Sequence, residues 1–162
     1  MPLGRLLKLI TGLWVVGFVT SLVGAGLARG RLVSKGRPGD DEIDLVAIFE
    51  PLEFTSTAPA LGRVSVLAWY GGGTVDLRGA GLDPTGATLT LRAIYGGIRL
   101  VVPETWRVER EVIGIFGGVG DARDQTRVAP DGPNLRVGGF AIFGGAGILS
   151  EAPDLDPVAA TA

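Results

Sequence analysis

One five-residue phrase recurs along this chain: AIFEP at 47–51, AWYGG at 68–72, AIYGG at 93–97, GIFGG at 114–118 and AIFGG at 141–145. Aligned on their aromatics, the phrases place Phe49, Tyr70, Tyr95, Phe116 and Phe143 in one column, at spacings of 21, 25, 21 and 27 residues. Two residues earlier stands a small side chain each time, Ala47, Ala68, Ala93, Gly114 and Ala141. A repeat of this length with one tight corner cannot bury its apolar face alone, whereas stacked copies can.

Each unit alternates with period two. Leu89, Leu91, Ala93 and Tyr95 share one side while Thr88, Thr90, Arg92 and Ile94 share the other. Trp106, Val108, Val112, Gly114 and Phe116 do the same, interrupted at Arg110. Such alternation predicts strands. The paired glycines are expected to supply positive φ for a sharp bend after the aromatic. Second strands should follow at TVDL (74–77), IRLVV (98–102) and GIL (147–149), with further turns at DPTG (83–86) and PDGPN (130–134). The fold class expected is therefore all-β, a β-solenoid or stacked-strand body, with the aromatics in a ladder of about 4.8 Å spacing. An antiparallel sandwich with a hairpin at each Gly-Gly satisfies the same alternation. Glu50-Pro51 in the first phrase and the acidic, proline-containing end after Ser150 read as protection of the outer edges.

Leu9 to Ala28 is a twenty-residue run without charge, about 30 Å as a helix. It predicts one N-terminal transmembrane helix. Thr20, Gly24 and Ala28 fall four apart on one helical face, a small-xxx-small pattern that would let two such helices self-associate, with the plainer alternative that small residues are simply common in membrane helices. A cleaved signal peptide is the rival, given MPLGRLLK ahead of the run and Gly26-Leu27-Ala28 at its end. Two basic residues precede the run (Arg5, Lys8) and four follow it (Arg29, Arg31, Lys35, Arg37), which puts the body in the cytoplasm by the positive-inside rule. The organisation expected is thus a membrane segment in 1–28 (span about 9–28), a charged linker in 29–42, a β-repeat domain in 43–150 and a disordered acidic tail in 151–162.

Charge narrows the partners. Residues 1–38 carry six basic groups and no acid, while residues 39–162 carry nine basic and seventeen acidic groups, a net of -8. An acidic body repels nucleic acid, and the basic residues flank the apolar run where lipid headgroups lie. The chain has no cysteine and no histidine, which removes thiol nucleophiles, Ser-His triads and the usual zinc ligands. No catalytic, cofactor or metal residues are expected, and no cofactor.

The remaining motifs have plain explanations. Gly117, Gly118 and Gly120 lack the Lys-Ser/Thr of a phosphate loop and belong to the repeat. Asp121 and Asp124 do not have calcium-loop spacing and read as a solvated turn. Glu109 and Glu111 share a strand face, as a carboxylate pair would, but RVEREV is more simply a solvated surface. Trp69 and Trp106 stand where core packing is expected, with a glycan surface as the alternative.

The phrases LRAIYGGIRLVVPETWRVEREVIGIFGGV (91–119) and LRVGGFAIFGG (135–145) resemble the LiaF-like C-terminal domain, the cell wall-active antibiotics response domain. That family repeats an aromatic-Gly-Gly phrase followed by an apolar strand and a VPEGW-like turn, here Val102-Pro103-Glu104-Thr105-Trp106 with Thr in place of Gly. The likeness covers roughly residues 43–150. It implies a non-enzymatic β-rich module of membrane proteins in cell-envelope stress systems, where LiaF looks like an inhibitor of a sensor kinase. This chain departs from LiaF in having one predicted span instead of several, so the inhibitor role is not carried over to it. The resulting expectation is a single-pass membrane protein that contacts an envelope or signalling partner. The alternatives are a self-assembling scaffold and an exported glycan-binding protein.

Overall fold

The computed structural model describes residues 3–150, so the expected tail at 151–162 lies outside the described residues. The chain divides into two compact units, one ending at Val33 and the other starting at Ser34. The first is a single α-helix, α1 (Leu3–Arg29), which contains the expected span and ends on a basic residue that complements the helix dipole. It is long and apolar enough to cross a membrane. Trp14 and Phe18, one turn apart, stack with centroids 5.6 Å apart.

The second unit is built of ten strands in two five-stranded sheets. The long strands that lead into the aromatic phrases form one sheet: β1 (Glu42–Ile48), β3 (Arg63–Trp69), β5 (Ala87–Ile94), β7 (Arg107–Ile115) and β9 (Asn134–Ile142). The shorter strands that leave the phrases form the other: β2 (Pro51–Thr55), β4 (Gly72–Asp76), β6 (Gly97–Val101), β8 (Gly118–Asp121) and β10 (Gly145–Leu149). Every pairing between these strands is parallel. A hairpin at each Gly-Gly requires antiparallel neighbours, so the sandwich alternative does not describe this body. Each phrase is instead a corner through which the chain passes from one sheet to the other.

Equivalent residues lie over one another. The register aligns Ile43, Val64, Leu89 and Val137 in one inward column and Ala47, Ala68, Ala93 and Ala141 in another. The second sheet contributes Phe54, Val75, Leu100 and Ile148. Leu61, Leu77 and Trp106 fill the interior near the loops, so Trp106 packs in the core as its alternation suggests.

The corners work differently from the expectation. It is the aromatics, not the glycines after them, that take positive φ: 58° at Phe49, 52° at Tyr70, 50° at Tyr95, 53° at Phe116 and 50° at Phe143. A bulky residue in the left-handed region costs about 1–2 kcal/mol. The geometry is sustained because the ladder of hydrogen bonds continues through the corner. Phe49 N–H donates to Trp69 O (3.2 Å), Tyr70 N–H to Ile94 O (3.0 Å), Tyr95 N–H to Ile142 O (2.9 Å) and Phe143 N–H to Ile115 O (3.0 Å). The glycines serve close approach. A Cβ on Gly96 would lie 2.3 Å from Gly71 O, one on Gly144 2.1 Å from Gly96 O and one on Gly117 1.8 Å from Gly144 O. The first glycine of each corner thus faces the carbonyl of the corner stacked before it. The first corner has none before it, which is why Glu50 stands there without penalty.

The stacking order also departs from chain order. The sheets run β1-β3-β5-β9-β7 and β2-β4-β6-β10-β8, so the fifth unit is inserted between the third and the fourth. The last two strands among the described residues are therefore interior, and the β7–β8 unit forms the outer edge. The expected protection of a terminal fifth unit does not apply.

Candidate interaction surface

The two ends of the stack differ. At the β1 end, residues before the first strand fold back on it. Lys35 N–H donates to Asp44 O (2.7 Å) and Asp44 N–H to Lys35 O (2.8 Å), an isolated antiparallel bridge. Ser34 Oγ accepts from Val46 N–H (2.9 Å) and donates to Val46 O (3.3 Å). Part of the expected linker is therefore attached to the body, and it occupies hydrogen-bonding positions that a further strand would use. Pro51 begins β2, where an edge strand tolerates a residue without N–H.

The β7–β8 end has no covering segment among the described residues. It exposes three large apolar side chains, Ile113 (71%), Ile115 (50%) and Phe116 (79%). Behind them the core columns end on charge. Arg110 continues the Ile43/Val64/Leu89/Val137 column, and its guanidinium points to Val119 O at 3.5 Å. Asp121 continues the Phe54/Val75/Leu100/Ile148 column. Its carboxylate accepts a two-pronged contact from Arg123 Nε (3.0 Å) and Nη2 (2.9 Å), and Arg123 Nη1 donates to Trp106 O (2.9 Å). Both side chains of this pair are at most 5% exposed. Burial pushes the Asp121 carboxyl up, but the hydrogen bonds and charge of Arg123 outweigh it and hold the group below the ordinary carboxylate value. The same Asp-x-Arg chemistry recurs at Asp76–Arg78, where the guanidinium hydrogen bond is the main cause of a lowered Asp76 value.

Along the corners the aromatics form a continuous ladder in spatial order Phe49, Tyr70, Tyr95, Phe143, Phe116. Successive centroids are 5.3, 4.9, 4.9 and 4.9 Å apart, with interplanar angles of 7° or less. Spacing set by the strands imposes this near-parallel stack. Beside it, on the outer face of the first sheet, lies the row Ile48, Trp69, Ile94, Ile142 and Ile115. Phe140 and Ile113 share the next row with Val46, Leu67 and Arg92. These rows are unevenly exposed: Ile48 is buried, Trp69, Ile94 and Ile142 are half-buried, and Ile113 and Ile115 are exposed.

The motifs singled out in the sequence are placed as follows. Glu109 accepts from Asn134 Nδ2 (3.0 Å) and lies 3.6 Å from Arg136 Nε, while Glu111 is exposed two residues on, so the two carboxylates face solvent beside cationic and amide partners. Asp124 caps a 3-10 turn at Gln125–Arg127 through Thr126 N–H (3.0 Å) and approaches Arg127 Nε at 3.5 Å. Gly117 and Gly118 belong to the fourth corner and Gly120 to β8. Trp69 and Trp106 do not meet on one surface: the first is on the outer sheet face and the second in the core. Among the described residues no group of three or more acidic side chains gathers as a metal site would require. The exposed edge was not assigned from sequence, because it depends on which unit is outermost.

No protein-family profile, no curated protein and no solved structure matches this chain.

Proposed function

We propose that this chain is a membrane-anchored, non-catalytic interaction module. In this reading the helix fixes the protein in the cell membrane as a single span, and the body, a five-unit β-solenoid, offers its β7–β8 edge to another envelope or signalling protein. The observation that carries the proposal is the asymmetry of the two edges. The β1 edge is occupied by Ser34 and Lys35, whereas among the described residues no strand pairs with the outer edge of β7, and Ile113, Ile115 and Phe116 are exposed there. Strand addition to such an edge is a common mode of peptide recognition. The LiaF-like resemblance of residues 91–145 supports placing the module in a cell-envelope stress response, and the cytoplasmic side is the side the flanking basic residues favour.

A head-to-tail scaffold needs β7 of one copy to meet β1 of the next, and the Lys35–Asp44 bridge stands in that position. A glycan surface built on Trp69 and Trp106 is disfavoured by the burial of Trp106. The proposal is tested by placing a photo-crosslinking residue at Ile113 in the full chain, in its native membrane. A discrete adduct with one other membrane or envelope protein is expected, and none when the probe replaces Thr88 on the same sheet away from the edge. Adducts containing only this chain, or the same adducts from both positions, would refute it.

A further inference from the structure

The four pairings inside the first sheet repeat one set of contacts, and the β7–β8 end presents half of a fifth. At each corner the aromatic N–H of one unit donates to the carbonyl one residue before the aromatic of the next: Phe49 to Trp69, Tyr70 to Ile94, Tyr95 to Ile142 and Phe143 to Ile115, at 2.9–3.2 Å. The series runs one way through the stack and stops at Phe116, whose N–H has no acceptor among the described residues. The Phe116 ring is 79% exposed, and among the described residues its ring neighbour is Phe143, on one face. The glycine series, in which Gly144 faces Gly96 O and Gly117 faces Gly144 O, likewise ends with Gly117 O outermost.

Arg107 N–H and Ile115 O bond on the β9 side, so the backbone groups directed away from the sheet are those of Val108, Arg110, Val112 and Gly114. Their side chains lie over the open end of the core, where Val108 and Val112 are half-buried against it. Arg110 stands between them, exposed, six residues before Phe116, in the position held by Val64, Leu89 and Val137 in the inner units. Its guanidinium lies 3.5 Å from Val119 O, and among the described residues no carboxylate pairs with it. A strand that covers this column removes the guanidinium from water. An apolar residue above Arg110 leaves the charge buried and unpaired, whereas a carboxylate there satisfies it. The same end already buries one such pair, Asp121 with Arg123.

We infer that the β7–β8 edge takes a parallel strand of another protein, and that Arg110 selects a strand with an acidic residue six positions before an aromatic-Gly corner. This deepens the docking role proposed above and rests on it. The partner's aromatic stacks on Phe116, and the residue before it offers its carbonyl to Phe116 N–H. Glycine follows the aromatic, because a Cβ there meets Gly117 O as it would meet the corresponding carbonyl at the inner corners. A second copy of this chain stacked head to tail does not fit these requirements: it brings Ile43 over Arg110 and Glu50 over Gly117 O.

Fluorescent peptides with the sequence of residues 135–145, LRVGGFAIFGG, carrying Val137→Glu or Val137→Lys, are titrated with the full chain in phosphatidylcholine nanodiscs and followed by anisotropy. The glutamate peptide is expected to bind about tenfold more tightly than the lysine peptide, and Arg110→Glu in the full chain to reverse the order. Arg110→Gln, expected to bind the two peptides alike, stands in should Arg110→Glu lose its fold. Phe143→Ala or Gly144→Ala in the glutamate peptide should abolish binding. The chain has no cysteine, so a fluorophore on Arg107→Cys is unique and reads direction. A nitroxide at the peptide's N-terminus quenches it in a parallel pairing, and one at the C-terminus in an antiparallel pairing. Quenching from the C-terminus overturns the inference, as does equal affinity of the parent for both peptides or a preference unchanged in the Arg110 variants. If a protein adduct at Ile113 still forms in that case, the docking role stands without this selectivity. Absence of both the adduct and peptide binding overturns the two together.

Discussion

The aromatic residues occupy a backbone conformation that costs them energy, and this reverses the usual effect of small substitutions in a strand. Tyr95 sits at φ 50° between two ring neighbours, each 4.9 Å away. Replacing it by Ala or by Gly removes the same stack, but only Gly adopts this φ freely. Tyr95→Gly is therefore expected to melt above Tyr95→Ala, by about 1 kcal/mol in stability, measured by thermal unfolding of the full chain in detergent. An Ala variant at least as stable as the Gly variant would show that the corner relaxes out of the left-handed region once the ring is gone. Asp121 gives a second residue-scale prediction. Its folded value is depressed, so its contribution is fully present above the ordinary value of 3.8 and is lost as pH falls below it. Asp121→Asn should destabilise the body by about 3 kcal/mol at neutral pH by leaving Arg123 buried and unpaired. The gap between variant and parent should narrow as pH falls through the acid range in near-UV circular dichroism. A gap independent of pH would mean that the ion pair is not its source. The aromatic column was legible because repetition marks it. Its backbone role was not, because Gly-Gly beside it offers the cheaper positive φ. Glu50 was the available sign: the first corner forms without the glycine.

Strands and corners were readable from alternation, since a period of two and a bend after each aromatic leave few other elements. The order of units was not. Parallel stacking gives every unit the same local pattern, so nothing in the phrases says that β9 lies between β5 and β7. The deviations from the pattern carry that information. Arg110 breaks the apolar column of the fourth unit, and Asp121 breaks the column of its second strand, whereas Leu135, Val137 and Ile148 of the fifth unit keep theirs apolar and buried. An interior unit requires uninterrupted columns, while an outer unit gains from inward charge, which discourages addition of unwanted strands. Arg110→Leu should remove that safeguard. The variant is expected to stay folded and to self-associate with concentration in sedimentation velocity, where the parent remains at its own size. A variant that sediments as the parent does would assign Arg110 to stability instead of protection.

On the scale of the whole molecule, function depends on which side of the membrane the body occupies, because that decides which proteins its free edge can meet. Two basic residues precede the apolar run and four follow it before Pro38. Charge of that sign is retained on the cytoplasmic side, so the orientation proposed for the anchor puts the body inside. Ser150, the residue after β10 on the side of the loops, is a site where a single thiol perturbs no core contact. Ser150→Cys in intact cells should resist a membrane-impermeant maleimide and react after lysis. Protection would restrict the partner of the β7 edge to cytoplasmic proteins or the cytoplasmic segments of membrane proteins, the setting a signalling role requires. Reaction in intact cells would place the same edge outside, where basic flanks did not direct the insertion, and the partner would then have to be sought among proteins of the cell wall.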